Sequence, residues 1–96
     1  MLPKKQERAY TDFQNSVRYN EILEPNTTLM IHMAAAMALG CKPLIKHYVD
    51  VAREEGLTDD EIGAVQSIAM AVSAGKVRAQ FREVCDPSKC PVHQWE

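Results

Sequence analysis

LEPNTTLMIHMAAAMALGCKPLIKHYVDVAREEGLT, residues 23–58, decides the fold class of this chain. Pro25 stands where proline suits the first turn of a helix, because the amide it lacks would have no intrahelical partner there. The spacing predicts a helix from Pro25 to Leu39. It carries Leu29, Met30, Met33, Ala34, Met37 and Ala38, so apolar residues occupy nearly its whole circumference. Such a helix belongs in a core or at a subunit interface. Gly40 ends it, since glycine readily takes the left-handed position after a helix. Cys41 follows, and Pro43 opens a second helix to about Glu55 with Leu44, Tyr48, Val51 and Ala52 on its inner stripe. Gly56 closes that helix. Leu57-Thr58-Asp59-Asp60-Glu61-Ile62 then reads as a capped start, with Thr58 the N-cap, Glu61 completing a capping box and Leu57 stapling onto Ile62.

Working outward, Tyr10, Phe13 and Val17 lie on one face of an earlier helix over about Gln6–Asn20, and residues 1–5 read as a loose end. Downstream, Ile62, Val65, Ile68, Ala69 and Val72 face inward on a helix from Asp59 to about Ser73. Ser73-Ala74-Gly75 reads as a break, and Val77, Phe81 and Val84 mark a fifth helix over about Lys76–Val84. Residues 85–96, with two prolines and no period, form an irregular tail containing cysteine and histidine. The expectation is an all-α single domain of five to six helices, spanning residues 1–96 and assembling as a homo-oligomer. With only 96 residues, little protein is left to surround the apolar helix at 25–39.

Composition removes several classes of function. An apolar fraction of 46% excludes a disordered chain, and a net charge of −2 supplies no field to attract nucleic acid or an acidic membrane. Lys76, Arg78 and Arg82 share helical spacing and read as a solvated face rather than a phosphate site. The longest apolar run, 29–39, is interrupted by His32 and falls short of the roughly 18 residues a membrane span requires. The N-terminus has no apolar segment of a secretory signal. Three cysteines, an odd count, fit a reducing compartment and point to the cytoplasm.

Several residues carry candidate chemistry. Cys41 precedes a helix N-terminus and adjoins Lys42, two features that favour a thiolate; a small buried hydrophobe at a tight junction is the alternative. His32 lies one turn beyond Leu29 and leans toward the same face. It is a candidate base for Cys41, or else a hydrogen-bonded core histidine. Tyr48 either packs or presents its hydroxyl to a ligand. His47 is rotated about 100° from it and reads as a surface or interface residue. Lys42 and Lys46 are the only cations near the junction in sequence. Cys85, Cys90 and His93 form C-x4-C-x2-H, which leaves free thiols, a disulfide or a zinc or iron site open; a metal would need a fourth ligand such as Asp86. No other cofactor is indicated.

Leu23-Glu24-Pro25, the Ala-rich 33–39, Leu39-Gly40-Cys41, and Gly56-Leu57-Thr58 with Asp60-Glu61-Ile62 together resemble the carboxymuconolactone decarboxylase and alkylhydroperoxidase-D-like (AhpD-like) family. The likeness covers about two thirds of the chain. It implies the all-helical fold and a homo-trimer or homo-hexamer. The family's redox members use a Cys-x-x-Cys pair at the start of the helix after the glycine, a His four residues past the second Cys and a Glu twelve residues before the first. Of these only Cys41 is present; Leu44, Tyr48 and Leu29 occupy the other positions. The resemblance implies a thiol-dependent, peroxidase-type (peroxiredoxin-like, antioxidant) oxidoreductase acting through Cys41, with a peroxide or other small molecule as substrate. Its alternatives are a redox-inactive small-molecule-binding or decarboxylase-like protein and a non-catalytic oligomeric binding protein.

Overall fold

The computed structural model describes residues 1–85 of the chain. Among them are four helices and no strand: α1 (Lys4–Arg18), α2 (Pro25–Leu39), α3 (Lys42–Glu54) and α4 (Asp59–Val84). None is long and apolar enough to cross a membrane.

The core is small and centred on α2. Met33 and Ala52 are fully buried and Leu57 and Val65 nearly so, with Leu29, Met30, Met37, Tyr48, Val49 and Ile62 packed around them. Helix α2 thus lies between α3 and α4. Its all-round apolar surface is only partly covered, since Ile31 and Leu39 remain exposed. Two turns with the same bonding pattern fix this arrangement. At Gly40 (φ 74°) the amides of Gly40 and Cys41 donate to the carbonyls of Met37 and Ala36. At Gly56 (φ 87°) those of Gly56 and Leu57 donate to Arg53 and Ala52. Each is a Schellman closure, which satisfies otherwise orphaned carbonyls and needs a left-handed residue. The second also brings Leu57 into the core beside Ala52. The expected capping box opens α4: Glu61 N–H donates to Thr58 Oγ1 at 3.1 Å, and Thr58 N–H donates to Glu61 Oε1 at 2.9 Å.

Two expectations are corrected. The expected fourth and fifth helices are one, because α4 runs unbroken through Ser73-Ala74-Gly75. A glycine inside a helix weakens it by about 1 kcal/mol, and with no proline nearby the intact ladder of hydrogen bonds outweighs that. Helix α1 begins at Lys4, so the loose end is shorter than residues 1–5. The Tyr10–Phe13–Val17 face of α1 is exposed: α1 has no buried residue, and Phe13 is 64% exposed.

Candidate functional site

The α1–α2 connection is tied by one side chain. Asn20 Oδ1 accepts from the amides of Ile22 (3.1 Å) and Leu23 (2.8 Å), while Nδ2 donates to Val17 O (3.0 Å) and to Thr28 Oγ1 (3.1 Å). Asparagine suits this place because its short amide both caps the end of one helix and shapes the following turn. Thr28 is buried, and Asn20 satisfies its hydroxyl. One turn along α2, His32 Nδ1 lies 2.8 Å from the Thr28 carbonyl oxygen. A carbonyl can only accept, so Nδ1 carries the proton, and in the neutral imidazole Nε2 is left as a hydrogen-bond acceptor. Nε2 has no partner among the described residues.

The His32 ring packs against Tyr48 of α3, with centroids 5.3 Å apart and planes inclined at 49°. Tyr48 in turn meets the His47 ring edge-on at 5.2 Å. These contacts place His32 and Tyr48 on the wall shared by two adjoining clefts between α1 and the α2–α3 pair. One, of about 320 Å³, is bounded also by Arg18, Tyr19, Leu29 and Glu55. The other, of about 470 Å³, is bounded by Tyr10, Phe13 and Val17 of α1 and by Leu44 and His47 of α3. The exposed face of α1 is therefore a cleft wall. Arg18, whose guanidinium carbon lies 5.6 Å from the centre of the Tyr19 ring, brings a cation to the site that sequence proximity to Cys41 did not reveal.

The structure thus unites His32, Tyr48 and His47, and leaves Cys41 apart from them. Cys41 is a half-buried free thiol at the N-cap of α3, with extended backbone. Its sulfur forms no side-chain hydrogen bond among the described residues, and it lines neither of the two clefts. His32, expected as a base for Cys41, instead bonds to Thr28 and packs on Tyr48. Cys85 is disulfide-bonded. Cys90 and His93 lie outside the described residues.

The remaining charges near α3 are at its surface. Lys46 Nζ bonds Asp50 Oδ2 at 2.8 Å and holds the Asp50 carboxyl below its usual range. That pair is solvent-exposed and contributes little to stability.

The comparisons with known proteins fit this geometry. The sequence profile of the carboxymuconolactone decarboxylase family matches residues 6–85, from α1 through the end of α4. The chain belongs to the carboxymuconolactone decarboxylase family. A search of curated proteins finds no match. Among solved structures, a protein from Methanobacterium thermoautotrophicum, a structural-genomics target, is similar with a TM-score of 0.79 and 24% identity over 86% of this chain and 94% of that one. At that identity the likeness shows a shared fold. Leu29, Leu44 and Tyr48, the residues that the sequence resemblance sets at the Glu, second Cys and His positions, all line the clefts.

Asn20, Thr28 and Arg18 are the participants the sequence reading missed. Thr28 had a usable signal, since it lies one helical turn before His32 on the same face. Asn20, just before a turn that precedes a helix-starting proline, had one too. Arg18 had none, because its approach to α3 depends on the angle between α1 and α2.

Proposed function

We propose that this member of the carboxymuconolactone decarboxylase family binds a small organic molecule in the cleft between α1 and α2–α3, without dithiol redox chemistry. His32 Nε2 is the proton acceptor of the site, Tyr48 supplies an aromatic wall and a hydroxyl, and His47 flanks them. The observation that carries this reading is the Thr28–His32 bond: it commits Nδ1 and leaves Nε2 unpartnered on a residue that lines the cleft. The apolar substitutions also leave the clefts open, with volumes within the range of small-molecule sites. A decarboxylase-like activity would use the same acceptor, with Arg18 available to a carboxylate.

The test is two-dimensional NMR with a collection of small cyclic organic molecules, following the His32 and Tyr48 side-chain resonances. Saturable shifts at both residues that persist in Cys41→Ser support the reading. If no compound at millimolar concentration moves either residue, the reading is wrong.

A second reading, single-thiol chemistry at Cys41, rests on its free thiol at the start of α3. A helix N-terminus stabilises a thiolate. With Cys85 in a disulfide, reduction would have to precede any resolving role for that residue. Trapping of a sulfenate at Cys41 after peroxide treatment supports this reading, and peroxide turnover unchanged in Cys41→Ser removes it. Both readings include self-association, with a homo-trimer or homo-hexamer expected from the family resemblance.

A further inference from the structure

The cleft beside α2 has a polarity that narrows its ligand. Because His32 Nδ1 donates to the Thr28 carbonyl, the free ring nitrogen accepts hydrogen bonds and cannot donate them while the imidazole is neutral. The complementary ligand atom is therefore a donor. The walls add shape: the His32 and Tyr48 rings are inclined at 49° and form an angular aromatic surface, suited to the face and edge of one flat ring. About 320 Å³ leaves ample room for a single-ring molecule. The other titratable or charged groups around this cleft are Arg18, Tyr19 and Glu55, a balance of one cation and one anion that favours a neutral ligand over a strongly charged one.

From these observations we infer that the cleft recognises a planar, single-ring compound bearing a neutral hydroxyl, a phenol-type ligand. The hydroxyl donates to His32 Nε2 while the ring packs on Tyr48. The inference rests on the ligand-binding reading above and specifies it.

Phenol, anisole and benzoate separate the alternatives, because anisole keeps the ring but lacks the donor and benzoate replaces the donor with an anion. The three are titrated into the full-length protein at about pH 8, well below the phenol pKa of about 10, so phenol stays protonated. Nitrogen-15 NMR of the histidine rings follows Nδ1 and Nε2. The expected result is a His32 Nε2 signal of an unprotonated nitrogen in the free protein that moves on adding phenol. Phenol should also bind about tenfold or more tightly than anisole, the scale of one satisfied hydrogen bond at a partly buried site. Equal affinity for phenol and anisole overturns the donor requirement while retaining a ligand site. Preference for benzoate overturns the neutral-ligand requirement in the same way. Perturbation of neither His32 nor Tyr48 by any of the three overturns the phenol reading, and the broader collection then decides whether any ligand site remains. These comparisons use one unaltered protein, so no outcome depends on a variant that fails to fold.

Discussion

At the scale of single residues, a few polar side chains hold the candidate site and the helix ends together. Asn20 makes four hydrogen bonds and joins α1 to α2. Replacing it with alanine removes them all and leaves the buried Thr28 hydroxyl without its donor. The expected loss is about 1–2 kcal/mol in chemical unfolding, since partly exposed hydrogen bonds contribute less than buried ones. His32 resonances should shift with it, because Thr28 links the two; unchanged His32 signals would show that the clasp and the cleft are independent. Glu61 contributes to the pH dependence of stability. The Thr58 amide, and then the Thr58 hydroxyl, bond its carboxylate and hold its pKa below the usual glutamate range. A carboxyl with a lowered folded-state pKa stabilises above its unfolded-state pKa, and that contribution is lost as pH falls through the folded-state value. The wild-type unfolding midpoint should therefore drop more steeply than that of Glu61→Gln as the solution is acidified below the glutamate range. Parallel curves would refute this. Sequence marked Cys41, His32, His47 and Tyr48 because their side chains have recognisable chemistry. Grouping three of them away from Cys41 required the packing of α2 on α3, which spacing along one helix does not encode.

Helices were the most legible elements, and their ends explain why. Pro25, Gly40, Gly56 and the Thr58–Glu61 box are local signals whose physics depends on a few adjacent residues. They therefore transfer from sequence to structure. Thr58→Ala should cost about 1 kcal/mol through loss of the N-cap, read as a lower denaturation midpoint with unchanged slope. The Ser73–Gly75 region shows the opposite case. Two small residues and a glycine imitate a helix end, but α4 continues because the residues after Gly75 are strong helix formers and no left-handed residue or capping side chain intervenes. A decisive measurement follows. A Cβ added at Gly75 meets no atom within 4 Å, so Gly75→Ala should stabilise the protein by up to about 1 kcal/mol. Destabilisation by that substitution would mean that the chain does turn at Gly75, as the sequence pattern alone suggested.

At the scale of the whole molecule, large apolar side chains of the described residues stand exposed on α1 and along α4. Among the described residues, Tyr10, Phe13, Ile68, Val72, Val77, Phe81 and Val84 are all at least half exposed, on α1 and along α4. The radius of gyration is 18.2 Å, against about 12–13 Å for a compact chain of this length. Scattered apolar residues are ordinary on protein surfaces, but Val77, Phe81 and Val84 recur on one stripe of α4, and contiguous patches mark interfaces. The sequence reading expected partners on the apolar circumference of α2, where Ile31 and Leu39 are exposed; the structure adds exposed apolar residues on α1 and along α4. Sedimentation equilibrium at micromolar concentration should accordingly report a mass that is a multiple of 10.8 kDa. A charge placed at the middle of the stripe, Phe81→Lys, should lower that mass, because an unpaired charge is costly to bury in an interface. Phe81 is half exposed and is not one of the buried core residues, so the variant's helical circular dichroism should persist in the smaller species. A wild-type protein that sediments as a 10.8 kDa monomer and still unfolds cooperatively would mean that the small core of Met33, Ala52, Leu57 and Val65 is enough. The exposed α1 and α4 faces would then need no second copy.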